Sequence, residues 1–159
     1  MVRRRVPTTD VTRGLLQGVA RATLSDEGVA ACEVSVLLTD DDEIRTLNQT
    51  WRGVDKPTDV LSFPLHDAPR EEVARAVASG AELLTLGDVV ISLDTARREA
   101  VERGVSLDDV MAHLMAHGVL HLLGYDHVDR VEEADMRARE SRTLQRLRRR
   151  PVMWDGGPA

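Results

Sequence analysis

Three histidines constrain this chain more than any other feature of its sequence. His117 and His121 are four residues apart, and His127 follows six residues later. On a helix, side chains four positions apart lie on the same face, about 5–6 Å apart at Cβ. Gly124 is suited to the left-handed backbone conformation that ends a helix and reverses the chain. The spacing therefore predicts a helix through His121, a turn at Gly124, and three imidazole rings brought together.

Three imidazoles at this spacing are typical of a metal site that can carry out chemistry. Catalytic zinc has three protein ligands and keeps the fourth tetrahedral position for water, whereas structural zinc is closed by a fourth side chain. We predict that His117, His121 and His127 bind one Zn²⁺ ion, although three imidazoles also accept other divalent transition metals. The alternative is that they are ordinary, partly buried helix residues. His113 falls outside the spacing and is predicted to pack or to support the ligands, with substrate contact as the alternative.

Length and composition are those of an ordinary globular domain. The chain has 159 residues, predicted to form one metal-dependent hydrolase domain over residues 1–150 and a disordered tail over 151–159. No apolar run is long enough to span a membrane, and no apolar segment follows the basic N-terminus as it would in a secretory signal. Cys32 is the only cysteine, so we expect no intrachain disulfide and a cytoplasmic location.

Charge limits how the chain could meet a nucleic acid. The formal net charge is −6, so the molecule as a whole does not attract polyanions. Arginines are clustered at 3–5, at 97–98 and between 137 and 150. Such clusters are compatible with nucleic-acid binding, but a run of charge is also typical of a solvated protein face. Charge alone therefore leaves the partner open.

Hydrophobic periodicity predicts a mixed α+β fold. Short apolar runs at 31–38, 60–64 and 83–92 are typical of strands. The last run contains Gly87-Asp88, where a bulge or a close approach of two backbones is expected. Residues 66–82 are predicted to be a surface insertion with one or two helical turns.

Five other segments have the periodicity and capping residues of helices. The predicted helices begin at Thr8 or Thr9, at Thr39, at Leu93, at the capping Ser106 and at Val131. Their side chains predicted to face inward are Val11, Leu15, Leu16 and Val19; Ile44, Leu47 and Trp51; Ala96, Ala100 and Val101; and Val131, Met136, Leu144 and Leu147.

A polar loop at 51–59 carries the second candidate site residue. It is interrupted by glycine and proline and lies between a predicted helix and a predicted strand, where functional residues concentrate. Arg52 is a candidate for contact with an anion. The alternative is that Arg52 is a solvated or ion-paired surface arginine.

The histidine spacing also resembles that of the metzincin zinc proteases, with one difference that changes the chemistry. Those enzymes have a glutamate directly after the first histidine, and it takes a proton from the zinc-bound water. Here that position is Gly118, which cannot accept a proton, so peptide hydrolysis by the usual route is disfavoured. A phosphodiester brings acceptor oxygens of its own, and Arg52 would stabilise the charge that develops on it. Asp126 is the nearest alternative base, unless it orients a ligand histidine.

Several segments taken together resemble the YbeY family over about residues 30–140, and Gly118 is part of that family's own pattern. The resemblance implies a zincin-like (metalloprotease-like) α+β fold, a single domain with a small mixed sheet packed with helices and a metal site on a central helix. The segments are HGVLHLLGYDH at 117–127, Asn48 with Arg52-Gly53, KPTDVLSFP at 56–64 and LGDVVIS at 86–92.

The resemblance further implies an activity and partners. Members are bacterial endoribonucleases of rRNA maturation, so we expect zinc on His117, His121 and His127 and a functional arginine at Arg52. The implied reaction is single-strand-specific RNA cleavage in 16S rRNA 3′-end maturation and ribosome quality control. The implied partners are single-stranded RNA, rRNA and the ribosomal small subunit or its proteins. The alternatives are a non-catalytic, metal-stabilised ribosome-assembly factor and a metallopeptidase.

Overall fold

The computed structural model of the chain describes residues 2–4, 13–29, 32–66, 70–79, 84–149 and 152. Within those ranges the chain forms six helices and four strands, which confirms the predicted α+β class. In chain order they are β1 (Val2–Arg4), α1 (Arg13–Asp26), β2 (Cys32–Thr39), α2 (Asp41–Arg52), β3 (Val60–Pro64), α3 (Arg70–Ala78), β4 (Leu84–Ser92), α4 (Leu93–Arg103), α5 (Leu107–Leu122) and α6 (Arg130–Arg146).

The four strands form one mixed sheet in the order β1-β2-β4-β3. β1 pairs with β2 and β2 with β4 in parallel, and β3 pairs with β4 in antiparallel at the edge. Parallel neighbours require a long crossover connection, which α1 supplies between the first pair. The small mixed sheet expected from the sequence is therefore confirmed.

The two faces of the sheet carry cores of different size. Successive side chains of a strand point to opposite faces. On one face, Val36 and Val89 belong to a large core that also includes side chains of α1, α4, α5 and α6. On the other face, Leu61 and Val90 pack with Ile44 of α2 in a small cluster. α2 therefore lies on the opposite side of the sheet from the histidine helix α5.

α5 is the central helix of the large core. Its N-cap is Ser106, whose hydroxyl accepts the backbone N–H of Asp109 at 3.0 Å, as the capping signature predicted. A helix that is apolar around most of its circumference is buried on most sides. The buried residues of α5 are Val110, Met111, Ala112, His113, Leu114, Met115, Ala116, Gly118, Val119, Leu120 and Leu122.

Gly87 lets the edge strand approach closely, as the sequence predicted. Its φ is 143°, and the register of β2 against β4 shifts nearby, between Glu33 and Val34. A Cβ on Gly87 would lie 2.2 Å from the backbone oxygen of Phe63 in β3. Only glycine therefore fits where the bulged strand meets β3.

Three side chains predicted to face inward are on the surface. Trp51 is 68% exposed, Val101 is 83% exposed and Val131 is 79% exposed. At 100° per residue, Val101 lies about 140° round α4 from the buried Ala96, and Val131 about 140° round α6 from Met136. Trp51 shares a face with Ile44, but it lies in the last turn of α2, beside Phe63 of the edge strand β3.

Other predicted boundaries also shift. The N-cap of α2 is Asp40, whose carboxylate accepts the Glu43 N–H at 2.9 Å, and not Thr39, which belongs to β2. α3 has nine residues, more than the one or two turns predicted for the insertion. The predicted caps Thr8 and Thr9, together with Val11, lie outside the described residues.

Of the predicted tail at 151–159, the structure describes Val152, which is buried. The other residues of that segment lie outside the described ranges, so their predicted disorder stays a prediction. Among the described residues, no helix combines the length and apolarity needed to cross a membrane.

Candidate metal centre

The three predicted ligand histidines lie together at the C-terminal end of α5. One ring nitrogen from each of His117, His121 and His127 lies within 4.8 Å of the others. The ring centroid of His127 is 5.6 Å from that of His117 and 5.1 Å from that of His121. All three side chains are partly buried, so the cluster is anchored in the core and is also accessible to solvent.

The turn after α5 brings His127 back to the helix. Gly124 has φ of 94°, the left-handed conformation predicted from the sequence. The N–H of Tyr125 then donates to the carbonyl of Leu120 at 3.1 Å, which folds the chain back on the last helical turn. Asp126 Oδ1 accepts the backbone N–H of His127 at 2.8 Å. The carboxylate of Asp126 therefore contacts the backbone that carries the third ring.

Tyr125 ties this turn to two other helices. Its hydroxyl donates to the carboxylate of Glu27, at the end of α1, at 2.5 Å. The guanidinium of Arg139 in α6 lies 4.5 Å from the centre of the Tyr125 ring and donates to the same Glu27 carboxylate at 2.7 Å. The turn that carries His127 is therefore held from both sides.

The backbone fixes the tautomer of His121. Its Nδ1 lies 2.9 Å from the carbonyl oxygen of Tyr125, which can only accept, so Nδ1 carries the proton and Nε2 the lone pair. Burial lowers the pKa of His121 to about 4, and the positive charge that His117 and His127 can carry acts in the same direction. The ring is therefore neutral at pH 7, with Nε2 free to bind a cation.

A carboxylate from α6 fixes the tautomer of His117 in the same way. Its Nδ1 lies 2.5 Å from Oε1 of Glu140, which is only 3% exposed. Burial by itself raises the pKa of Glu140, but hydrogen bonds from His113 and His117 outweigh it and lower the pKa to about 2. Glu140 is therefore an ionised acceptor, His117 donates from Nδ1, and its Nε2 has the lone pair.

His113 is buried, which confirms the predicted packing role, whereas sequence reasoning missed Glu140. The Nε2 of His113 lies 3.0 Å from Glu140 Oε2 inside the core. A signal for Glu140 was present in the sequence, because it stands four residues after Met136 and four before Leu144, both buried on the inner face of α6. An acid in the middle of an apolar stripe requires a partner.

The two fixed tautomers direct two lone pairs at one point, which is the arrangement that a metal ion fits. The Nε2 atoms of His117 and His121 are 3.0 Å apart. Lone pairs at that separation repel each other unless a cation lies between them. Two nitrogens bound tetrahedrally to zinc, at 2.0–2.1 Å each, would be about 3.3 Å apart. This donor set therefore suits a divalent ion that accepts nitrogen ligands, without selecting among zinc, nickel and cobalt.

Gly118 occupies the position of the protease base, and its surroundings explain why it is glycine. A Cβ there would lie 2.7 Å from Cγ1 of Val89 in β4 and 3.3 Å from Oγ of Ser62 in β3. The hydroxyl of Ser62 also donates to the carbonyl of Gly118 at 3.1 Å. Position 118 therefore faces the sheet at close contact, and a glutamate would have no room there.

The structure places Arg52 as the last residue of α2. Its side chain is exposed. Gly53 ends the helix with φ of 70°. The side chain of Asn48 donates to the carbonyl of Lys56 at 2.9 Å, which ties the following loop back to the helix.

Trp51 lies beside Arg52 at this exposed end of α2. Its ring packs edge-on against Phe63 of the edge strand, with the centroids 6.2 Å apart and the planes at 68°. An exposed aromatic ring and an arginine therefore neighbour each other next to β3, the strand that also contacts α5 through Ser62.

The fold and the site define a class of protein, the zincin-like α+β proteins with a three-histidine site on a central helix. A solved structure shares this fold: the solution structure of TM1509 from Thermotoga maritima matches with a TM-score of 0.58 at 24% identity, covering 100% of both chains.

Sequence comparison gives the family. The family model described as Endoribonuclease YbeY matches residues 3–148. A protein of that name from Pelotomaculum thermopropionicum is 46% identical over 144 residues, covering 90% of this chain and 91% of that protein. Another, from Moorella thermoacetica, is 48% identical over 139 residues, covering 87% and 88%. The chain belongs to the YbeY family, as the resemblance of its motifs predicted.

Proposed function

We propose that this chain is a metal-dependent endoribonuclease that cleaves single-stranded RNA in the cytoplasm. The observation that carries the proposal is the convergence of the His117 and His121 Nε2 atoms, 3.0 Å apart, with His127 beside them. Family membership supports RNA as the substrate, because the relatives are named as endoribonucleases. The proposed ion is a single Zn²⁺, and the proposed catalytic unit is one domain over residues 1–150.

The chemistry divides between the ion and the chain. When bound, a divalent ion lowers the pKa of a water molecule to about 7 and polarises a phosphoryl oxygen. The three imidazoles hold the ion, and the acceptors at their Nδ1 atoms keep two of them in the binding tautomer. Because position 118 is glycine, it supplies no carboxylate to take a proton from a metal-bound water, which disfavours peptides and favours a substrate with acceptor oxygens of its own.

Arg52 is the proposed contact for the phosphodiester. Its guanidinium is charged at every working pH and can form two parallel hydrogen bonds to a phosphate. Because the net charge of the chain is −6, attraction of RNA must come from a local site such as the exposed end of α2. Lys56, the only lysine of the chain, lies in the loop that follows.

The exposed ring of Trp51 favours single-stranded over duplex RNA as the substrate. Bases that are not paired expose their faces and stack on aromatic side chains, whereas bases in a duplex do not. A tryptophan that is 68% exposed and held edge-on by Phe63 offers such a face next to Arg52. The proposed biological substrate is the 3′ end of 16S rRNA, with the ribosomal small subunit or its proteins as partners in maturation and quality control.

The test uses purified protein and RNA fragments of matched sequence, one single-stranded and one duplex. We expect the single strand to be cleaved, a chelator to stop the reaction and added Zn²⁺ to restore it. In His117→Ala, cleavage should fall by more than about 100-fold. Removing a residue that only supports a metal ligand costs up to about 100-fold, and loss of the ligand itself should cost more. Equal cleavage by wild type and His117→Ala would mean a contaminating nuclease and would overturn the proposal.

A non-catalytic assembly factor is the second candidate, and one observation favours it. The histidine cluster is tied to α6 through Glu140 and to α1 through Tyr125, so a bound ion would also stabilise the fold. In that case Arg52→Glu would complement a deletion strain fully, whereas ligand variants would fail because they unfold. If the chain is an endoribonuclease, Arg52→Glu fails to complement although it is folded.

A further inference from the structure

Glu140 is the most deeply buried acid among the described residues, and it serves two histidines. Its side chain is 4% exposed. Oε1 lies 2.5 Å from Nδ1 of His117, and Oε2 lies 3.0 Å from Nε2 of His113. His113 and His117 are one helical turn apart on α5, so one carboxylate from α6 spans that turn.

The direction of the hydrogen bond between His113 and Glu140 follows from a backbone group on the far side of the His113 ring. The N–H of Val152 points at Nδ1 of His113 at 3.2 Å, and a backbone amide can only donate. Nδ1 of His113 is therefore the acceptor, so the proton of this ring is on Nε2 and is donated to Glu140. Oε2 of Glu140 therefore accepts from His113. A carboxylate has only acceptor atoms, so its second oxygen, Oε1, is placed to accept the Nδ1 proton of His117 at 2.5 Å.

We propose that Glu140 and His113 are positioning residues for the metal centre. Glu140 holds the proton of His117 on Nδ1, and His113 holds Glu140 in place for that contact. The lone pair of His117 is thereby kept on Nε2, the atom that faces His121. The inference rests on the proposed function in one respect, that His117 binds the ion.

The hydrogen bond that fixes the tautomer of His117 differs from the one at His121. At His121 the acceptor is the backbone carbonyl of Tyr125, which no side-chain substitution removes. At His117 the acceptor is a side chain and can be changed. A glutamine at position 140 has one accepting atom and one donating atom, so it cannot accept from both histidines. Because Val152 holds His113 in its tautomer, His117 is the ring expected to change.

The test compares Glu140→Gln with Glu133→Gln. Both make the same chemical change on α6, but the side chain of Glu133 is 38% exposed and pairs with Arg137 within the helix. Two quantities are measured: the ¹⁵N shifts of the imidazole nitrogens at pH 8, which report the tautomer, and the Zn²⁺ affinity by competition with a chelator. Unfolding by urea checks that each variant is folded.

We expect wild type and Glu133→Gln to have His117 protonated at Nδ1 and equal affinities. Glu140→Gln should move the proton of His117 to Nε2 and weaken Zn²⁺ binding by about 10–100-fold, the usual loss when the partner of a ligand histidine is removed. Glu140→Asp keeps the charge but is too short to reach both rings. Its Zn²⁺ affinity should lie between those of wild type and Glu140→Gln.

A wild-type His117 protonated at Nε2 would overturn the inference, whether or not the variants fold. A folded Glu140→Gln with unchanged Zn²⁺ affinity would also overturn it, because that result is expected if the role of Glu140 is purely structural. If wild type has the expected tautomer but binds no Zn²⁺, the proposed function fails and the tautomer assignment stands.

Discussion

The metal centre and the exposed end of α2 are built in opposite ways. At the centre, His117 and His121 lie on a buried helix. Their Nδ1 atoms are hydrogen-bonded to acceptors from α6 and from the turn after α5. At the end of α2, Arg52 and Trp51 are exposed, and the loop beside them is tied back through Asn48. We therefore expect the centre to be rigid before any substrate arrives and the proposed RNA contact to adapt to it. Rigid placement suits a metal ion, whose geometry is strict, and adaptable contacts suit a flexible single strand.

The largest expected effect is on the exposed end. Arg52→Glu should reduce RNA cleavage by about 100-fold or more, because it removes a cation from the developing charge and adds an anion. Metal content and the free energy of unfolding should stay unchanged, since Arg52 is not one of the ligand histidines and its side chain is exposed. Arg21→Glu, an exposed charge reversal on α1, is the control. An equal loss in both variants would mean that net charge, and not the position of Arg52, matters.

The pH dependence of stability should come from the centre. The pKa of an unfolded histidine is about 6.5, and burial, aided by His117 and His127, lowers that of His121 to about 4. The unfolded chain therefore takes up the proton first as the pH falls. The metal-free protein should lose up to about 3 kcal/mol of stability between about pH 6.5 and pH 4.

Urea unfolding at a series of pH values measures this loss. His121→Gln lacks the titrating ring, so its stability should change less across the same window. Identical slopes for wild type and His121→Gln would show that the buried ring is not the source.

Packing at the centre can be tested with a matched pair of glycines. Gly118→Ala should destabilise the protein by about 1–3 kcal/mol, because its Cβ would overlap Cγ1 of Val89. Gly18→Ala on α1, where nothing lies within 4 Å, should stabilise it by about 0.4–1 kcal/mol. Urea unfolding gives both values, and a neutral Gly118→Ala would contradict the close contact between α5 and the sheet.

The smallest expected effect is that of Trp51. If one base stacks on this ring, Trp51→Ala should weaken binding of single-stranded RNA by about 1 kcal/mol, roughly fivefold, and Trp51→Phe should keep most of it. Fluorescence titration with single-stranded and duplex RNA measures both, and Val101→Ala, another exposed apolar residue, is the control. Equal weakening for duplex RNA would argue against stacking.

Local patterns predicted the framework of the centre, because its parts are close together in the sequence. The spacing of His117, His121 and His127 and the turn at Gly124 lie within eleven residues, and backbone geometry alone brings them together. β3 was predicted to the residue for the same reason, since its apolar run is bounded by a polar loop and a proline.

What the sequence did not predict depends on contacts between distant segments. Glu140 acts on His117 across 23 positions, through the packing of α6 on α5, and no local pattern encodes that pairing. Trp51 follows the helical period and yet is exposed, because the period does not show where the sheet beneath a helix ends. Periodicity gives the face of a helix, and tertiary packing decides how much of that face is covered.

The most direct test of the metal centre is X-ray absorption at the metal edge of protein purified without chelator, together with its metal content. We predict about one divalent ion per chain, with three imidazole nitrogens at about 2.0–2.1 Å and one oxygen from solvent. Absence of a bound ion, or a fourth ligand from a protein side chain, would contradict the proposed catalytic site.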